Sequence, residues 1–194
     1  MWSLRTPGSA RVERWLEGLA GAAFTYAPVG VTASDGLAPA SYFRDHTRVE
    51  LGWGEDAWAA AKAALASWAT HDLGWLVIVP ARPVQREGGA FASVLRVGGL
   101  VWWAPCRIVY TVDEPDRRGF AIGTIGPHPE AGEERFMVSR DPGTGAVHYD
   151  LLAVSRPRHW APRLCLPWTR RLQRRFAADS SAAMRRAVTA RRDV

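Results

Sequence analysis

The sequence predicts an α+β fold: a curved antiparallel sheet of six or seven strands that grips a long C-terminal helix. Three observations carry it. From Trp75 to Val154, apolar residues repeat with a period of two in six separate segments, the pattern of strands. Connectors between these segments are short and rich in Gly, Pro and Asp, so successive strands are antiparallel neighbours rather than parts of βαβ units. Beyond Pro167, the residues Trp168, Leu172, Phe176, Ala183 and Ala187 share one helical stripe with Ser180, a face that must be buried.

In chain order, the first element is a helix over about 9–20, with Ser9 as N-cap and Val12, Trp15, Leu16 and Leu19 on one face. Phe24 to Val31 reads as a short extended piece that Pro28 confines to an edge. A loop over 32–46 and a short strand at Thr47–Leu51 follow, ended by Gly52 and Gly54. Glu55 and Asp56 favour the positive end of a helix dipole and open a helix to about Ala69, with Trp58, Ala61, Leu65 and Trp68 as its buried stripe. The strands then read Trp75–Val79, Ala90–Val97, Val101–Val112, Phe120–Ile125, Arg135–Ser139 and Val147–Val154. Pro162 and Pro167 punctuate the approach to the last helix, which runs from Trp168 to about Ala190. At 1.5 Å per residue it is roughly 35 Å long, enough to cross a small domain.

The 194 residues fit one domain with a real hydrophobic core. At 47% hydrophobic and 23% charged residues, the chain is neither disordered nor a coiled coil. Its net charge of +6 is unevenly placed: residues 1–155 carry 14 basic and 17 acidic side chains, whereas 156–194 carry 11 Arg against Asp179 and Asp193. Charges at Arg11, Glu13 and Arg14 interrupt what a signal peptide would need as its apolar stretch, and no run is long enough to span a bilayer. Cys106 and Cys165 are too few for a disulfide framework or a zinc knuckle. These features together predict a cytoplasmic, reduced protein.

Four groups of residues carry possible chemistry. In Cys106–Tyr110, Arg107 lies between apolar strand positions and is able to clamp an anion, or simply to make a sheet-edge ion pair. The stretch 119–136 places His128, Glu130, Glu133 and Glu134 on an expected turn between two strands, a set suited to acid–base work or to a tight, ion-paired loop. With His128 alone in its stretch, no metal site is expected. Over Val147–Arg158, alternation puts His148, Asp150 and Arg156 on one face, and the two charged ones need partners on a neighbouring strand. Ser155, His148 and Asp150 can be written as a triad, but they lie along one strand with no nucleophile elbow. Finally, Arg170, Arg171, Arg174, Arg185 and Arg186 flank the last helix. They suit nucleic acid or an acidic partner, or a solvated face paired with the acidic body. No phosphate-binding Gly loop, dinucleotide turn or zinc-finger spacing is present.

Taken together, Tyr26–Gly30, Leu51–Gly54, Cys106–Tyr110, Gly123–Pro129 with Gly132–Phe136, and Ser155–Arg158 resemble a family of unknown function. It is the domain-of-unknown-function family nineteen-ninety, also called uncharacterised protein family five-four-eight. The resemblance spans about 10–190, with several motifs in order. Ile122 departs from the Tyr that relatives often carry there. The family brings no established activity. Its layout is similar to START-like helix-grip folds, which hold apolar ligands between a curved sheet and a C-terminal helix, an analogy at the level of fold.

The leading expectation is a cavity between sheet and last helix that binds a small, partly apolar molecule. Its polar contacts would come from Arg107, Tyr110, Thr124, His128, Glu133, Glu134, Ser155 and Arg156, with no cofactor. One alternative uses Arg170, Arg171 and Arg174 to bind nucleic acid or an acidic partner. Another is an enzyme centred on the His128–Glu133–Glu134 turn. Neither ligand, reaction nor oligomeric state can be read from the chain.

Overall fold

An antiparallel sheet of seven strands in one path, with a two-residue eighth strand off that path, carries the molecule. The computed structural model describes residues 2–34, 38–158 and 166–192; Pro162 and Cys165 lie outside them. The strands of the path are β2 (Phe43–Trp53), β3 (Leu76–Val79), β4 (Ala90–Val97), β5 (Leu100–Glu114), β6 (Arg117–Thr124), β7 (Glu130–Arg140) and β8 (Ala146–Pro157), in the order β2-β8-β7-β6-β5-β4-β3. A short β1 (Trp2–Ser3) pairs with β5 at Trp102 and Val101, covering an edge that β6, ending opposite Cys106, leaves open. The helices are α1 (Ser9–Glu17), α2 (Gly54–Ala66) and α3 (Leu166–Arg192), with a 3₁₀ turn at Ala69–His71. Register shifts between Glu50 and Gly52 and between Ile108 and Tyr110 bend the sheet, as bulges do.

The two faces of the sheet carry two cores. On the concave face, Phe91, Ile108, Phe120, Phe136 and Tyr149 pack with Trp58 and Leu65 of α2 and with Met184 and Val188 of α3. On the convex face, Ala92, Val94, Val101 and Trp103 meet Val12 and Leu16 of α1. Ser180, the polar member of the α3 stripe, is fully buried and is satisfied by the Tyr149 hydroxyl at 2.8 Å, so it docks the helix instead of breaking its face. Trp75 adds a second tie, its indole N–H donating to Asp179 at 2.8 Å.

Several elements differ from the sequence expectation for physical reasons. Gly8, not Ser9, precedes α1, and no side chain caps it. The 24–31 piece forms only an isolated bridge from Phe24 to Ile125. β2 is more than twice its expected length because ten pairs to β8 hold it; the backbone ladder outweighs the weak propensity of its polar residues. α2 stops at Ala66, and Trp68 takes a left-handed conformation with φ 62°. That geometry is uncommon for a bulky residue. Here it turns the indole into the core, where its N–H donates to the Pro83 carbonyl at 2.8 Å and its rings meet Phe91 and Phe120. β7 begins at Glu130, five residues before the expected Arg135, so the true turn is only Ile125–Pro129. Gly132 permits this start, since a Cβ there would lie 2.3 Å from the Val154 carbonyl oxygen of β8.

Candidate functional site

The C-terminal half of α3 sits down on the core, with Ala183, Met184 and Val188 buried, whereas Trp168 near its start is 56% exposed. The first half of the helix therefore stands away from the sheet. The concave residues beneath it are small: Ser93, Ala104, Thr124, Ala153 and Ser155. Small side chains under a lifted helix leave a cavity of about 820 Å³, inside the range of small-molecule sites. Leu76, Leu95, Trp102, Ile122 and Leu151 line its sheet side, and Leu172 and Phe176 its helix side. His71 and Trp75 close the wall where the 3₁₀ turn leads into β3.

One end of the cavity is polar. Gln173 of α3 donates to Glu130 at 2.9 Å and to the Ser155 hydroxyl at 3.2 Å, and accepts from Arg170 at 2.9 Å. Arg170 is bidentate to Asp45 of β2. Burial pushes the Glu130 carboxyl up to about 7, while Gln173 and Arg170 pull it back. Burial, then the nearby Glu130 and Asp45, pushes Glu134 up to about 8. The two histidines go the other way. Burial pulls His71 down to about 3, among the rings of Trp68, Phe91, Phe136 and Phe176. It pulls His128 down to about 4. The Nδ1 of His128 lies 3.0 Å from the Glu130 backbone N–H and 3.1 Å from the Glu130 carbonyl oxygen, so the main chain of Glu130 engages it in either neutral tautomer.

Of the eight residues singled out from sequence, Thr124, His128, Glu133, Glu134 and Ser155 adjoin the cavity. The Thr124 hydroxyl is already committed, accepting from the Gly132 N–H at 3.0 Å and contacting the Thr25 hydroxyl. For Glu133 only the main chain faces inward. Its carboxylate, on the convex side, accepts from the Tyr26 hydroxyl at 2.6 Å, from the Gly30 and Thr32 N–H groups at 2.7 and 2.9 Å, and from the Thr32 hydroxyl.

Three others are not on the cavity wall. Arg107 donates to the Leu19, Ala20 and Ala22 carbonyls behind α1 at 3.2, 2.8 and 2.8 Å, which corrects both the anion clamp and the edge ion pair. Tyr110 meets the Thr32 hydroxyl at 2.9 Å, and Arg156 lies over the Tyr42 ring at 4.9 Å. The acid–base turn is corrected as well, because Glu133 and Glu134 are consecutive strand residues and point to opposite faces. Among the described residues, no three His, Cys, Asp or Glu groups converge as a metal site.

Sequence reasoning missed Gln173, His71 and Ser93 as wall residues. The signal for Gln173 was a lone amide beside the apolar stripe of an arginine-rich helix; for the other two there was none. Asp150 does find its partners on the neighbouring strand, His46 at 2.9 Å and Arg48 at 3.1 Å. Part of the helix basicity is likewise spent on the body and the helix itself. Beyond the Arg170–Asp45 pair, Arg175 pairs with Asp179 at 3.3 Å, and Arg185 donates to the Glu50 carbonyl at 3.3 Å.

Comparison with known proteins bears on the whole chain. A family described as "Domain of unknown function (DUF1990)" matches residues 25–183. A UPF0548 protein of Deinococcus radiodurans is 34% identical over 202 aligned positions, covering 97% of this chain and 99% of the relative. Another, from Arabidopsis thaliana, is 34% identical and covers 75% of this chain and 73% of its own. Among solved structures, the di-domain ARO/CYC StfQ from the steffimycin biosynthetic pathway superposes with a TM-score of 0.54 at 11% identity. That match covers 79% of this chain and 53% of StfQ, so the chain spans about half of that protein. The likeness identifies the architecture as a START-like helix grip.

Proposed function

The chain belongs to the family described as Domain of unknown function (DUF1990), and from that premise we propose that it binds a small, largely apolar molecule between its sheet and C-terminal helix. The observation that carries the reading is the cavity of about 820 Å³ beneath the lifted half of α3. An apolar wall with a few convergent polar groups is the usual make-up of a small-molecule site. Glu134, His128 and Ser155 are the polar contacts of this reading, with Glu130 and Gln173 beside them. The buried free thiol of Cys106 suits a reducing compartment, and we place the protein in the cytoplasm.

The test is saturable binding of apolar aromatic probes, read by the fluorescence of Trp75 and Trp168 at the cavity. Ala153→Trp would fill the space between β8 and α3. The expected result is binding to the parent and at least a tenfold loss in Ala153→Trp with the fold retained by circular dichroism. A parent that binds no probe, together with native mass spectrometry showing no retained small molecule after purification from its host, would overturn the reading.

A further inference from the structure

We infer that the ligand of this cavity is an organic cation, a protonated amine on an apolar body whose ammonium group is held by Glu134 of β7. The inference rests on the proposed role of the cavity as a ligand site and names the chemistry that site selects. Glu134 lines the cavity and has no hydrogen-bond partner among the described residues. Its fellow carboxylates have theirs: Glu130 is bound by Gln173, Asp45 by Arg170, and Glu133 by the Tyr26–Thr32 segment across the sheet.

Among the described residues, no cation of the wall answers Glu134. On its own strand the facing charge is Glu130, and on β2 it is Asp45, both of the same sign. β5 contributes the Cys106 thiol and β8 the Tyr149 hydroxyl, both buried and held neutral. His71 of the 3₁₀ turn and His128 of the β6–β7 turn are neutral imidazoles. On α3, Arg170 is committed to Asp45 and Gln173, and Arg174 is exposed at the rim. Burial first, then the like charges of Glu130 and Asp45, raises this carboxyl to about 8, and an ammonium ion supplies the counter-charge that would hold it ionised.

A second, independent group points to a ligand. His128 is only 9% exposed and adjoins the cavity. Its Nδ1 is engaged by the main chain of Glu130, and its Nε2 has no partner among the described residues. With Nδ1–H donating to the Glu130 carbonyl at 3.1 Å, Nε2 is an acceptor. With the Glu134 carboxylate it gives the wall two unmet acceptors beside an apolar lining, which fits an amine with a hydrophobic body better than a fatty chain or an acid.

The experiment is calorimetric titration of the full chain with naphthylethylamine, naphthylethanol and naphthylacetate, which share one aromatic body. The amine is expected to bind at least about tenfold tighter than the alcohol near pH 8, since a charge-assisted bond is roughly twice as strong as a neutral one, and the acetate weakest. Amine affinity should rise from about pH 6 to about pH 9 with a buffer-dependent heat, because binding drives a proton off Glu134. Glu134→Gln should bring the amine within twofold of the alcohol and remove the rise of amine affinity between about pH 6 and about pH 9. If the parent binds the alcohol or the acetate as tightly as the amine, the cation is wrong while the cavity reading stands. If it binds none of the three, the cation is wrong, and the cavity reading falls with it when native mass spectrometry also shows no retained small molecule.

Discussion

Glu133 and Glu134 are adjacent in sequence and opposite in environment. Alternation on β7 sends Glu133 to a nest of donors and Glu134 to a largely apolar cavity, where no described residue donates to it. Unpartnered burial has a thermodynamic signature. The folded state holds the Glu134 proton up to about pH 8, whereas an unfolded chain releases it near the ordinary carboxylate value. Between those pH values the folded state binds more protons, so stability falls as pH rises through that window. Glu134→Gln removes this slope, and is expected to be more stable than the parent at pH 8.5 by roughly 1–2 kcal/mol, allowing for partial solvation in the cavity, and equal to it near pH 4. Urea unfolding across pH checks it; parallel pH profiles for the two proteins would contradict it. His71, pulled down by burial, acts on the acid side: its stabilisation is present above the unfolded value and is lost as pH falls toward about 3.

At the scale of elements, the convex face depends on a segment with almost no regular structure. Residues 24–32 are held by Glu133, by the Tyr110–Thr32 contact and by Arg135, which donates to the Thr32 carbonyl at 2.9 Å. Glu133→Ala orphans several of these donors at once and is expected to cost about 3–5 kcal/mol. Tyr26→Phe, which removes one bond, should cost about 1–2 kcal/mol. Denaturant midpoints check both, and a Glu133→Ala variant as stable as Tyr26→Phe would show that the anchor lies elsewhere. Strands β4, β5, β6 and β8 and both long helices were legible because their apolar residues follow the period of the element. The early start of β7 was not, since Glu130 to Glu134 reads as turn chemistry. Only pairing with β8, allowed by the bare Cα of Gly132, makes it a strand. That missed start concealed the alternation that separates Glu133 from Glu134.

At the scale of the whole molecule, the +6 charge is distributed rather than concentrated into one binding surface. Arg170, Arg175 and Arg185 are drawn into contacts with the body and the helix itself, leaving Arg171, Arg174 and Arg186 exposed. Among the described residues, no helix is long and apolar enough to cross a membrane. The helix face is therefore expected to give salt-sensitive, sequence-independent retention on polyanions and no more. Arg171→Gln with Arg186→Gln should lower the salt at which the protein leaves heparin and leave probe binding in the cavity within twofold. Loss of probe binding in that variant would join the two surfaces and contradict the separation drawn here.

By itself the sequence determined the fold class, the antiparallel meander, the long terminal helix and the family, because period, turn chemistry and motif order are local properties of a chain. Which polar residues share a site was decided only in three dimensions. Arg107, Tyr110, Glu133 and Arg156 are spent holding the convex side, while Glu130, Gln173 and His71 join the cavity from three separate elements. The physical reason is that a side chain's role follows from the face it takes and the partners it meets. A single missed strand start reverses the first, and only tertiary packing supplies the second.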